Sequence, residues 1–249
     1  MVEVSENTLI ILPHLDDEIF MTPLIKSITK RHSKSLTLVF CAERIFSSVE
    51  YINKRREESL KSLSLLGCLP ENIIYLNDHF EVNDLEIIES AKNIYNFLNK
   101  LSLDNKYKQI LTLNLEGGHP DHDALSLIVY KYGRENNLET FFVPAYNYQR
   151  SAFLPVSVFT PLKSHKKYFS RKLFNYFSWA DSLKIAFIYK SERKAFVKLL
   201  PFIIFKAFFS RDLYMSQFID ENTVDWKKSL TFQRYKIDQK DILKKVNSL

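Results

Sequence analysis

Short apolar runs alternate with amphipathic stretches through the first 145 residues. Thr8 to Leu12, Ser35 to Cys41, Ile73 to Leu76, Ile110 to Leu115 and Thr140 to Val143 have strand length and are rich in β-branched or large apolar residues. Between them, residues 18–31, 48–67, 84–102 and 122–136 space their apolar positions at a helical period. This alternation predicts an α/β fold, Rossmann-like, with a mostly parallel sheet, helices on both faces and right-handed crossovers. Such a sheet opens a ligand crevice at the carboxyl ends of its strands.

Beyond residue 145 the alternation fades. A helix-prone, aromatic and basic stretch runs from Lys163 to Phe209, and Pro201 is expected to kink or break any helix there. No repeat, low-complexity tract or linker divides the chain. It reads as one domain, residues 1–249, in which 1–145 form the α/β core and 146–249 a helical, aromatic elaboration of the crevice. The most apolar run, Leu199 to Phe205, falls short of the roughly 20 residues that span a bilayer.

Composition narrows the class. With 46% hydrophobic and 26% charged residues, a disordered, collagenous or disulfide-scaffold chain is excluded. Cys41 and Cys68 are too few for a thiolate zinc site and read as small apolar residues in a reducing compartment. The first residues carry acids where a secretory leader carries lysines, so a cytoplasmic location is expected.

Charge is uneven: residues 151–210 hold eleven Lys and Arg against Asp181 and Glu192, a local +9 in a chain of net +6. Two readings of the 163–209 stretch stand. In one, the aromatics are core and the lysines snorkel to water. In the other, the stretch is a peripheral face for an anionic membrane, at the inner side of the membrane. No RNA-recognition, zinc-finger or helix-turn-helix signature is present, so no nucleic-acid partner is expected.

The chemistry sits in two knots, each following a predicted strand: Pro13-His14-Leu15-Asp16-Asp17-Glu18, and Gly117-Gly118-His119-Pro120-Asp121-His122-Asp123. Both empty into the same crevice. In a strand-to-helix turn, His14 and Asp17 fall close enough for one ion, Asp16 points elsewhere, and His122 supplies a third ligand. Two imidazoles and a carboxylate are the set of a Zn²⁺ site that keeps a position open, and they also accommodate Fe²⁺.

These knots, with Arg55-Arg56-Glu57-Glu58 running into Leu66-Gly67, resemble the ordered motifs of the PIG-L/LmbE-like N-acetylglucosaminyl deacetylases. The likeness covers roughly residues 7–145. It implies that His14, Asp17 and His122 bind zinc and that Asp16 is the general base. It further implies that His119 stabilises the oxyanion, that Asp121 orients the His119 ring, and that Arg55 holds substrate. An Asp beside His119 is expected to favour its imidazolium form. Some relatives carry an oxyanion partner where this chain has Gly117, and the carboxyl-terminal Ser-Gln of many relatives has only loose counterparts, Ser191-Glu192 and Ser216-Gln217.

The implied activity is removal of an N-acetyl group from an N-acetylglucosamine-type sugar, free or linked to a lipid or nucleotide. The alternatives are an inactive glycan- or membrane-surface-binding protein, and an amidase on another small metabolite. Blander roles compete at single residues. Asp17 can cap a helix, Arg55 and Glu58 can form an i,i+3 surface pair, and Glu18 reads as a hydrogen-bond acceptor behind the ligands rather than a ligand itself. Asp123 reads as a first-turn helix carboxylate, Asp78 and His79 as weak substrate contacts, and His32 and His165 as surface residues.

Overall fold

The computed structural model describes residues 7–43, 47–148, 156–175, 177–219, 224, 232–233 and 237–249. All five predicted strands form within a residue or two of expectation: β1 (Thr8–Leu12), β2 (Leu36–Phe40), β3 (Ile73–Tyr75), β4 (Gln109–Leu113) and β5 (Glu139–Val143). The intervening helices are α1 (Thr22–His32), α2 (Val49–Leu65), α3 (Ala91–Asn105) and α4 (Pro120–Glu135). Short strands β6 (Tyr146–Asn147) and β7 (Ser157–Val158) follow. Then come β8 (Phe169–Leu173), α5 (Ala180–Ile188), α6 (Arg193–Phe209), β9 (Asp212–Ser216) and α7 (Gln239–Asn247).

The main sheet has the order β3-β2-β1-β4-β5-β9-β8, with β1 to β5 parallel and β9 and β8 antiparallel. The inner strands are apolar at nearly every position because helices cover both faces. Along β1, Ile10 and Leu12 enter a core shared with α1, α5 and α6, while Leu9 and Ile11 enter one shared with α3, α4 and α7. The chain leaves β1 for β2 and β3, then returns to place β4 on the other side of β1. That reversal is the switch point where a crevice opens, and both His/Asp knots leave the sheet there.

The carboxyl-terminal part departs from expectation in two ways. Residues 169–173, inside the stretch expected to be helical, form a strand that pairs with β9. Helix α6 runs uninterrupted from Arg193 to Phe209 with Pro201 inside it. Proline forfeits one helical hydrogen bond there, but both flanking turns are anchored by inward-facing residues, Phe196 before it and Ile203 and Ala207 after it. No helix among the described residues is long and apolar enough to cross a membrane. Cys41 and Cys68 are buried free thiols.

Candidate metal and catalytic site

The turn after β1 folds onto its own side chain. The backbone N–H of His14 donates to Asp17 Oδ2 (2.9 Å), and the N–H of Asp17 donates back to the His14 carbonyl (3.3 Å). The same carboxylate oxygen meets His14 Nδ1 at 3.2 Å, while Oδ1 faces His122 Nε2 at 3.3 Å. The His14 and His122 rings lie 5.4 Å apart, with His119 4.9 Å from His14. Burial alone would raise the Asp17 carboxyl, but the His122 and His14 rings outweigh it and hold the group far below the usual range.

The donor spacing suits a divalent ion. Tetrahedral zinc with bonds of ~2.0–2.1 Å places its ligand atoms about 3.3 Å from one another, which matches both separations of Asp17 from the imidazoles. Among the described residues the donor atoms that converge to within 4.8 Å of one another are nitrogens of His14, His119 and His122, and donor atoms of His14, Asp84, His119 and Asp121; Asp17 belongs to neither set and meets two of these rings through separate oxygens. Hydrogen bonding separates these sets. Asp121 accepts the N–H of Leu85 (2.6 Å) and of Ile87 (3.2 Å) and meets His14 Nε2 at 3.0 Å. A carboxylate so engaged has its oxygens occupied by two backbone N–H groups and a ring nitrogen, which sets it apart from Asp17.

This corrects the expected role of Asp121. Its carboxylate lies on His14, not on His119. Only its backbone N–H meets the His119 ring, donating to Nδ1 (3.2 Å) as His119 caps α4. Burial, then the neighbouring His14, pushes the His119 pKa down to about 3, outweighing Asp121, which favours the imidazolium as expected. A ring whose Nδ1 accepts a hydrogen bond carries its proton on Nε2. The buried His14, by contrast, is raised well above the ordinary value, because Asp121, Asp17 and Asp84 outweigh the opposing effect of burial.

Asp16 turns away from this cluster. Its Oδ1 receives Arg55 Nη2 at 3.2 Å, and the Arg55 Nε lies 3.6 Å from Glu192. Burial raises the Asp16 carboxyl and Arg55 partly opposes it. Asp16, Arg55 and Glu192 line one cleft with His14, His119 and His122. Glu58 is not a surface partner of Arg55; it is buried and accepts the backbone N–H groups of Lys190 (3.1 Å) and Ser191 (3.3 Å), fixing the segment that carries Glu192.

Asp84 and Tyr146, two polar residues of the cleft, carried no signal in the sequence, and Glu192 stood only in the loose Ser191-Glu192 counterpart, with no role assigned. Asp84 reaches His14 Nε2 (3.1 Å) from the loop after β3. Tyr146 approaches so closely that a Cβ on Gly118 would fall 2.3 Å from its carbonyl oxygen, and its ring packs 5.4 Å from His122. Gly117, with φ of +69°, makes the turn in a conformation open to glycine. Asp78 and His79 stand apart from the cleft, on Arg56 (2.8 Å) and beside Phe97. His165 is buried at 2% exposure, against its expected surface position.

A second layer of carboxyls supports the first. Glu18 accepts from the Ser62 and Tyr189 hydroxyls, Asp123 from the N–H groups of Glu116 (2.9 Å) and Gly117 (3.2 Å), and Glu116 from Ala145 N–H (2.8 Å). Burial pushes each of the three up to about 8. A folded-state pKa above the unfolded one means that the folded chain holds protons the unfolded chain has lost. Stability therefore falls as pH rises from about 4.5 towards 8. Glu116→Gln is expected to flatten this decline, measured as the denaturation midpoint against pH; an unchanged slope would show Glu116 ionised in the fold.

Comparison with known proteins agrees with this architecture. Residues 9–132 match the PIG-L family model, described as GlcNAc-PI de-N-acetylase. No curated protein sequence matches significantly. Among solved structures, the A40926 pseudoaglycone deacetylase Dbv21 superposes with a TM-score of 0.56 at 14% identity, covering 85% of this chain and 96% of that one. The N,N'-diacetylchitobiose deacetylase of Pyrococcus horikoshii gives 0.55 at 17% identity, covering 84% of each chain. The zinc-inhibited form of teicoplanin deacetylase Orf2 gives 0.52 at 11% identity, with 84% and 96% covered. At such identities the superpositions establish the fold. Through the match over residues 9–132, which takes in both knots and the Arg55 helix, the chain belongs to the PIG-L family.

Proposed function

We propose that this cleft is the active site of a metal-dependent N-deacetylase, which hydrolyses the acetamide of an N-acetylglucosamine-type sugar or sugar conjugate to acetate and a free amine. The observation that carries the reading is the convergence of His14, His119 and His122 beside Asp17, whose two oxygens face His14 and His122 at 3.2 and 3.3 Å, while the neighbouring Asp16 faces Arg55. The family description and the deacetylase superpositions support the acetamide as the bond cleaved.

His14, Asp17 and His122 would hold Zn²⁺ or Fe²⁺, which when bound supplies an acidified water and polarises the amide carbonyl. The rest of the chemistry falls to this chain. Asp16 accepts the proton of the attacking water, and its buried position raises its basicity above that of an ordinary Asp. Arg55, clamped between Asp16 and Glu192, holds that carboxylate in place and presents a cation to substrate hydroxyls. His119, neutral and protonated on Nε2, donates a hydrogen bond to the oxygen on which charge develops. The ordering of His14 by Asp121 keeps the donor set aligned.

Stripping the purified protein with a chelator is expected to abolish acetate release from N-acetylglucosamine conjugates, and Zn²⁺ or Fe²⁺ to restore it. Activity indifferent to chelation would remove the metal from the mechanism. Metal binding without acetate release across a broad acetamido-sugar panel would remove the substrate class.

A further inference from the structure

We infer that the outer face of α6 is a docking surface for an anionic phospholipid bilayer, with aromatic side chains of its second half entering the interface and cations of its first half meeting the headgroups. The helix, Arg193 to Phe209, is apolar on all sides after Lys198 except for Lys206. A helix of that kind is ordinarily covered all round, by protein or by lipid. Among the described residues only one side is covered: Phe196, Ile203 and Ala207 pack into the core. On the other side Val197, Ile204, Phe205, Phe208 and Phe209 are 60%, 41%, 59%, 56% and 76% exposed.

The placement of Lys206 sharpens the point. It is turned inward and 5% exposed, with Nζ 3.2 Å from Asp212 Oδ1, 3.3 Å from Ser210 Oγ and over the Trp179 ring at 5.3 Å. An ammonium is thus buried while four large apolar side chains of the same two turns face outward, the reverse of a helix adapted to water. Uncharged over its second half, the outer face is basic over its first, where Arg193, Lys194 and Lys198 are exposed and α6 contains no acid. On α5, packed against it, Phe187 is 70% exposed in a groove lined by four lysines, Lys54, Lys61, Lys184 and Lys190, against two acids, Glu57 and Glu58.

Charge identifies the occupant. A second copy carries the same cations and no acid on this helix, so it could cover the apolar half but would leave the basic half without a counter-charge. An anionic bilayer answers both halves of the face at once, accepting phenyl rings at the headgroup boundary and neutralising the lysines. No described helix crosses the membrane, so the contact lies in its surface. Because α6 also lines the catalytic cleft through Ala195, Phe196 and Leu199, docking there would place the cleft wall at the interface. The inference does not depend on which bond the cleft hydrolyses.

Flotation of the full chain with vesicles tests it. The wild type is expected to float with vesicles of phosphatidylcholine and phosphatidylglycerol, less with phosphatidylcholine alone, and less again at high salt. Replacing the three exposed rings, F205S with F208S and F209S, is expected to lower partitioning about tenfold or more. Lys194→Gln with Lys198→Gln is expected to lower it about twenty-five-fold, at roughly fivefold per cation. Both variants change exposed side chains and should melt with the wild type by circular dichroism. Absence of wild-type binding to anionic vesicles overturns the inference, as does binding that the ring variant leaves intact. A dimer in light scattering that the ring variant dissolves, without vesicle binding, would assign the face to a second copy and equally overturn it. Partitioning is read without turnover, so a failed deacetylase assay leaves this result interpretable.

Discussion

Asp16→Asn is expected to lower kcat/KM by about 10²–10⁴-fold, the range that a positioned proton acceptor contributes, while the protein keeps its metal. The argument rests on the division of labour between two adjacent carboxylates. Asp17 is committed to His14 and His122 through both oxygens, whereas Asp16 faces Arg55 and the open cleft. Asn preserves the shape and can still accept a hydrogen bond from Arg55, so fold and ion site should survive, but it cannot take a proton. In the wild type, burial raises the Asp16 carboxyl. The acidic limb of the kcat/KM profile should therefore lie above the ordinary Asp range of ~3.9. Metal content by atomic emission and acetate release together read the result, and a variant that turns over near the wild-type rate would show that the base is another group.

His122→Ala is expected to lose both the ion and turnover, by about 10³-fold or more, since a bound metal contributes several kcal/mol to the transition state. The His122 ring is buried, faces Asp17 Oδ1, and is held between His14, His119 and Tyr146. Its removal leaves two of the three proposed ligands and opens a gap where Nε2 stood. The contrast with Asp16→Asn is diagnostic: one variant retains metal and loses the proton acceptor, the other loses metal. Full metal occupancy in His122→Ala would move the ion to another set, for which His14, Asp84, His119 and Asp121 are the converging donors.

Much of the core was legible because the physics that writes it is local. A strand buried on both faces must be apolar almost throughout, and a helix lying on that sheet must repeat its apolar positions near 3.6. Strands β1, β2 and β4 and helices α1, α3 and α4 follow these rules, whereas α2 buries Arg55, Glu58, Ser59 and Ser62 beside Leu63. The two knots could be placed at one crevice because parallel strands carry their following turns to the same edge. Past residue 145 those rules fail. Strands β8 and β9 form an outer antiparallel pair with mixed burial, so neither carries a continuous apolar run. Helix α6 survives its proline because packing on either side of Pro201 replaces what one hydrogen bond would contribute.

The order of residue types along the chain determined the parallel sheet, the crevice and the pool of imidazoles and carboxylates that meet in it, since period and turn position are properties of neighbours in sequence. Only the tertiary structure decided which group faces which. Asp121 stands two residues from His119, yet its carboxylate serves His14, 107 positions away, because Leu85 and Ile87 N–H groups from a third loop hold it there. Glu192 reaches Arg55 because buried Glu58 grips the backbone beside it. Side-chain direction in a crevice depends on register and on partners distant in sequence, and no local spacing encodes those.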